Sequence, residues 1–150
     1  MPPSSARRKV AFMTAKTARH QRTRDDHASE IAEDYVEAIY EICAQQGECR
    51  AVELTKRFGV SAVTVNRTIA RLQRDGYVST KPYAPIVLTE AGEKLAQFSS
   101  ARHQVVYDFL IAMGLSKSTA TVDSEGIEHH VSQETLSAMK RILKNGWPKS

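Results

Sequence analysis

Along most of the chain apolar residues recur every three or four positions, a spacing that predicts helices joined by short turns. From Ser29 to Gln45, Ile31, Tyr35, Ala38, Ile39 and Ile42 fall on one side, and Gly47 follows as the stop. Ala51–Phe58 reads as a short helix, followed by the turn Gly59-Val60-Ser61. A second helix then runs from Ser61, its cap, to Asp75, with Val65, Ile69 and Leu72 inward. Short helix, tight turn and longer helix make the helix-turn-helix pattern. Tyr77–Leu88 reads as two short strands around a Pro-containing turn, a β wing. A long helix runs from Thr89 to Met113 with a stripe of Leu95, Phe98, Val105, Phe109 and Leu110, and Gly114 ends it. Lys117–His130 predicts a further helix. A last one starts at Ser132 as N-cap, carries Leu136, Met139 and Leu143, and ends at Gly146 and Pro148.

Length and composition narrow the class. The 150 residues suit one ordinary domain or two small ones, and a 41% hydrophobic fraction is enough for a core. No apolar run approaches the roughly 18 residues of a membrane span, and no secretory stretch opens the chain, so a cytoplasmic protein without membrane contact is expected. In that compartment Cys43 and Cys49 are expected as free thiols.

Charge is unevenly distributed. Residues 1–24 hold seven Lys or Arg and no acid; residues 25–49 hold eight acids and no Lys or Arg. Residues 50–81 hold seven basic and two acidic residues, and the remainder balances at seven each. Such a distribution points to polyanion contact at the tail and the middle, and to cation contact between them. In the basic middle, the outer face of the second helix offers Ser61, Ala62 and Thr64, then Asn66, Arg67 and Arg71, with Lys81 in the wing. Small residues admit close approach to a major groove, while Asn and Arg offer paired donors to base edges and phosphates. A helix-turn-helix alone can be a packing corner; the wing and the local charge favour double-stranded DNA.

The acidic clusters carry a second chemistry. Asp34 and Glu37 stand three apart, and Glu125, Glu128 and His129 stand three and four apart, so each set presents its ligating atoms along one side of a helix. His103 lies off the apolar stripe of the long helix. Alone, each group reads as a solvated polar face. Taken together, four carboxylates repel strongly if buried, and two divalent ions would cancel their charge. Oxygen ligands with imidazoles suit manganese and similar ions, whereas a zinc or iron–sulfur site would ask for cysteine.

At these residues the chain resembles the diphtheria-toxin-repressor family of metal-dependent transcriptional repressors. Glu33-Asp-Tyr-Val-Glu-Ala-Ile-Tyr40, Val87-Leu-Thr-Glu-Ala-Gly-Glu-Lys94, Arg102-His103 and Glu125-Gly-Ile-Glu-His-His130 stand in that family's order, and the resemblance covers about residues 29–145. It implies that Asp34, Glu37, His103, Glu125, Glu128 and His129 ligate a binuclear metal site, and that His130 does not. Carboxylates at 34 and 125, where iron-responsive members carry methionine and cysteine, favour the manganese branch and two Mn²⁺ per chain. The chain ends without the SH3-like domain that many iron-responsive members append.

The expectation is therefore a mostly α protein with three parts. A basic, flexible arm spans residues 1–28, a winged helix-turn-helix DNA-binding domain 29–90, and a helical metal-binding and dimerisation domain 91–150. Its expected function is that of a homodimer which, with Mn²⁺ bound, recognises a palindromic operator and represses manganese-uptake genes; no organic substrate is expected. Rival readings are a response to another divalent metal such as iron, to a small ligand, or to oxidation of the two thiols. A binuclear hydrolase is a further alternative, opposed by the lack of an additional base or oxyanion donor.

Overall fold

The computed structural model describes residues 5–149; residues 1–4 and 150, and the side chains of 5–16, 18, 19 and 22, lie outside the described residues. Six helices and one short hairpin follow in order: α1 Ser5–Gln46, α2 Ala51–Phe58, α3 Ala62–Arg74, β1 Val78–Ser79, β2 Val87–Leu88, α4 Glu90–Ala112, α5 Lys117–Ile127 and α6 Gln133–Asn145. A single 3₁₀ turn, Glu128–His130, joins α5 to α6.

The N-terminal half closes around α1. Tyr35, Ala38, Ile39 and Ile42 pack with Leu54 of α2, Val65, Ile69 and Leu72 of α3, and Val78 and Ile86 of the wing. Tyr35 stacks on Phe58 with ring centroids 4.4 Å apart, which ties the end of α2 to α1. The turn between α2 and α3 needs Gly59, whose φ of 63° is a left-handed conformation disfavoured for side-chain-bearing residues. Ser61 Oγ then accepts from Thr64 N at 3.2 Å and opens α3. The strands pair antiparallel, Val78 opposite Leu88 and Ser79 opposite Val87, and Ile86 N donates to Cys49 O at 2.8 Å. The mostly α fold with its winged helix-turn-helix is the expected one.

A second core joins α4, α5 and α6 through Val106, Leu110, Ala120, Leu136 and Met139. Helix α4 packs against α1 as well as against α5 and α6, so it connects both halves.

Three expectations are corrected. Helix α1 begins at Ser5 and not at Ser29: no Gly or Pro interrupts residues 5–46, and Ala, Arg and Lys favour a helix throughout the basic segment. On α4 the buried positions are Gly92, Ala96, Ser99, Val106 and Leu110, whereas Phe98 is 51% exposed. Hydrophobicity alone misplaced that stripe by about one position in its first turns. There α4 faces α1 with small residues, which let Ser99 Oγ reach Glu37 Oε2 at 3.1 Å. Finally, the helix expected over Lys117–His130 stops at Ile127 and tightens into the 3₁₀ turn, which changes the directions of His129 and His130.

Candidate metal centre and DNA face

The acidic side of α1, the end of α2, the middle of α4, the end of α5 and the 3₁₀ turn line an open cavity of about 790 Å³. Asp34, Glu37, His103, Glu125, Glu128 and His129 all line it. Six residues spread over 96 positions of sequence are thus brought to one site. Glu41, which continues the acidic face of Asp34 and Glu37, also lines it, as do Glu30 and Arg57, which did not stand out in the sequence; Arg57 is paired with Glu41.

Within the cavity the imidazoles and carboxylates are already close. His103 Nδ1 lies 2.7 Å from Glu128 Oε2. Glu128 Oε2 is buried, and no other group than that ring partners it. His129 Nε2 lies 3.3 Å from Asp34 Oδ1 and 3.4 Å from Glu128 Oε1. Among the described residues no three His, Cys, Asp or Glu side chains are yet gathered as a metal ion would hold them. The donors still fit a divalent ion: they combine carboxylate oxygens with imidazole nitrogens, and one buried oxygen has an imidazole alone beside it.

Electrostatics point the same way. Burial pushes the carboxyl of Glu128 up from its ordinary value, against the nearby His103 and His129 rings. Burial likewise raises Asp34, opposed by His129 and reinforced by Glu30, Glu125 and Glu33. Glu37 is raised by burial too, and the Ser99 hydroxyl partly offsets it. These carboxyls hold protons to higher pH than free ones would, so a cation bound here competes with protons and its affinity falls as pH falls.

His130 leaves the cluster: it is exposed and pairs through Nε2 with Glu30 Oε1 at 2.7 Å. Glu33 and Arg102, which carried no role in the sequence reading, form a buried ion pair beside the cavity, and Glu33 Oε2 also meets His129 Nδ1 at 2.8 Å. The available signal was a carboxylate just past Val36 around the helix, where the apolar side of α1 meets its acidic face.

On the opposite side of the N-terminal half, Ser61, Ala62, Thr64, Asn66 and Arg67 form an exposed face at the start of α3, with Arg71 half-buried one turn on and Lys81 exposed in the wing. Val63 stands 66% exposed among them, an apolar group suited to a thymine methyl that donor and acceptor counting passed over.

The two cysteines differ from a reactive pair. Cys49 is fully buried, and burial pushes its thiol up to about 12. Cys43 is half-buried and raised by burial as well. Under native conditions at neutral pH a maleimide should therefore modify at most one thiol per chain, at Cys43, and both in denaturant; rapid native labelling of Cys49 would contradict this burial.

Residues 27–86 match the N-terminal DNA binding domain of the iron dependent repressors, and residues 89–146 match their metal binding and dimerisation domain. The transcriptional regulator MntR of Salmonella typhimurium is 45% identical over 118 residues, covering 79% of this chain and 75% of that protein. The HTH-type transcriptional regulator MntR of Geobacillus kaustophilus is 34% identical over 112 residues, covering 75% and 79%. A solved manganese-dependent transcriptional repressor in complex with manganese superposes with a TM-score of 0.67 at 28% identity, over 75% of this chain and 52% of that one. The metal-dependent transcriptional regulator MtsR gives 0.69 at 25% identity, over 75% and 53%. The chain thus spans about half the length of these solved regulators.

Proposed function

From its membership of the iron dependent repressor family, to which the chain belongs across both domains, we propose a manganese-responsive repressor that acts as a homodimer in the cytoplasm. The observation that carries this reading is one cavity lined by six carboxylate and imidazole side chains from both halves of the molecule. Repressors of this family are regulators and not hydrolases, so the cavity is read as a sensor.

Asp34 and Glu37 belong to the helix that builds the DNA-binding core, whereas His103, Glu125, Glu128 and His129 belong to the helices of the other half. Bound Mn²⁺, two ions per chain, would supply positive charge that cancels the repulsion between these two sets. The residues then hold α1 at a fixed angle to α4 and so hold the exposed start of α3 at a fixed distance from its counterpart in the dimer. A dimer with fixed spacing loses less freedom on binding two half-sites, which gives positive coupling between metal and a palindromic operator. Ser61, Ala62, Thr64, Asn66 and Arg67 would meet base edges and phosphates, with Arg71 and Lys81 on the backbone.

Manganese is preferred to iron because carboxylates stand at 34 and 125 and because the MntR regulators of Salmonella typhimurium and Geobacillus kaustophilus are 45% and 34% identical. Repression of manganese-uptake genes completes the proposal, with residues 29–90 as the DNA-binding domain and 91–150 as the metal-binding and dimerisation domain. The thiol-switch alternative loses ground to the burial of Cys49. The test is a titration of chelator-stripped protein with Mn²⁺, the free ion read by electron paramagnetic resonance. Two saturable ions per chain are expected; no saturable binding would overturn the proposal.

A further inference from the structure

Glu33 stands beside the cavity without lining it, and it is buried all the same. Its Oε2 takes two partners at once: an Arg102 guanidinium nitrogen from α4 and His129 Nδ1 from the 3₁₀ turn. Glu33 and Arg102 are each about 11% exposed, so this pair is shielded from screening by salt. The opposite ring nitrogen, His129 Nε2, faces Asp34 and Glu128 in the cavity.

We propose that Glu33, anchored by Arg102, is the positioning residue for His129: it accepts the Nδ1 proton, fixing the tautomer whose Nε2 lone pair points into the cavity. A neutral imidazole has one donor and one acceptor nitrogen, so the partner of one decides the chemistry of the other. An ionised carboxylate holds the proton at Nδ1, and the same contact limits rotation of the ring. Arg102 has a separate role. It neutralises Glu33, so the orienting carboxylate adds little to the cavity's charge and, with Oε2 doubly engaged, is kept from becoming a ligand itself. Arg102 also precedes His103 on α4, so one turn of that helix presents one imidazole and anchors the carboxylate that orients the other.

This inference rests on the reading of the cavity as a metal site, and its test separates the two. The His129 tautomer is read in metal-free protein from long-range ¹H–¹⁵N spectra, at a pH where the ring is neutral, and Mn²⁺ affinity is measured in parallel. In wild type the Nδ1–H form is expected. Glu33→Ala should shift His129 towards the Nε2–H form and weaken Mn²⁺ binding by about tenfold to a hundredfold. Glu33→Gln should keep the Nδ1–H tautomer, because one amide oxygen can accept both contacts that Oε2 accepts now, while Mn²⁺ affinity falls because the Arg102 charge is left unneutralised beside the cavity; it also serves if the alanine variant does not fold. An unchanged tautomer in Glu33→Ala, or a lost one in well-folded Glu33→Gln, would overturn the inference whatever the affinity. His129→Ala tests the underlying reading instead: wild-type Mn²⁺ binding in that variant would remove His129 from the ligands and leave the tautomer result standing.

Discussion

Glu128→Ala is expected to abolish metal-stimulated operator binding while leaving dimer and helical content intact. Glu128 is 4% exposed, its Oε2 has only the His103 ring beside it, and its Oε1 lies 3.4 Å from His129 Nε2. A carboxylate so placed costs free energy when ionised, and without a cation it is only partly compensated by two imidazoles. Removing it relieves that cost, so the variant's metal-free form should unfold at or above the wild-type temperature. What it loses is a central oxygen between the His103 and His129 rings. If coupling between metal and operator has its ordinary size of about 1–3 kcal/mol, wild type gains roughly 5- to 150-fold in operator affinity with Mn²⁺, and the variant gains nothing. Fluorescence anisotropy of a labelled operator, with and without Mn²⁺, checks this. Wild-type stimulation in a folded Glu128→Ala dimer would remove the cavity from the mechanism.

The largest effect on stability is expected from Gly92→Ala. A Cβ on Gly92 would sit 2.0 Å from Tyr77 O and 3.2 Å from Leu88 Cδ2. Backbone forms the nearer contact, so rotamer changes cannot relieve the clash. That carbonyl also accepts from Thr89 N at 3.0 Å, and Thr89 Oγ1 in turn donates to Gly76 O at 2.6 Å and accepts from Gly92 N at 3.1 Å. One methyl group would therefore push apart the wing and the N-terminus of α4 and weaken the cap that starts the helix. Overpacking typically costs about 1–3 kcal/mol, and the lost cap adds about 1 more. The melting temperature should fall by several degrees. An unchanged melt would mean that α4 can shift away from the wing without cost.

Helix periodicity made the helix-turn-helix legible because Val65, Ile69 and Leu72 repeat at three and four and Gly59 marks the turn. The six cavity residues were legible only as separate polar faces and through family resemblance, since spacing along one helix says nothing of which other helix it meets. Glu33 and Arg102 were missed for a related reason. Their partnership crosses 69 positions and joins two helices, and a carboxylate at the edge of the apolar side of α1 was the local trace. Side-chain size explains the shifted stripe on α4: Ala96 and Ser99 score as weak apolar and polar positions, yet they face α1 because close helix contact requires small groups. The break at Ile127 had no signal in periodicity. Glu128-His129-His130 continues the helical spacing of ligating residues, and only the local backbone shows the tighter turn.

The central claim is that metal and operator bind to coupled parts of one molecule through the α1–α4 junction. Thermodynamic linkage makes a direct demand on it: whatever factor Mn²⁺ adds to operator affinity, operator must add to Mn²⁺ affinity. Measuring free Mn²⁺ by electron paramagnetic resonance, with and without saturating operator duplex, tests this in one experiment. Equal factors in the two directions are predicted, both absent in Glu128→Ala. Mn²⁺ affinity indifferent to operator would contradict the account and leave a metal site and a DNA face that do not communicate.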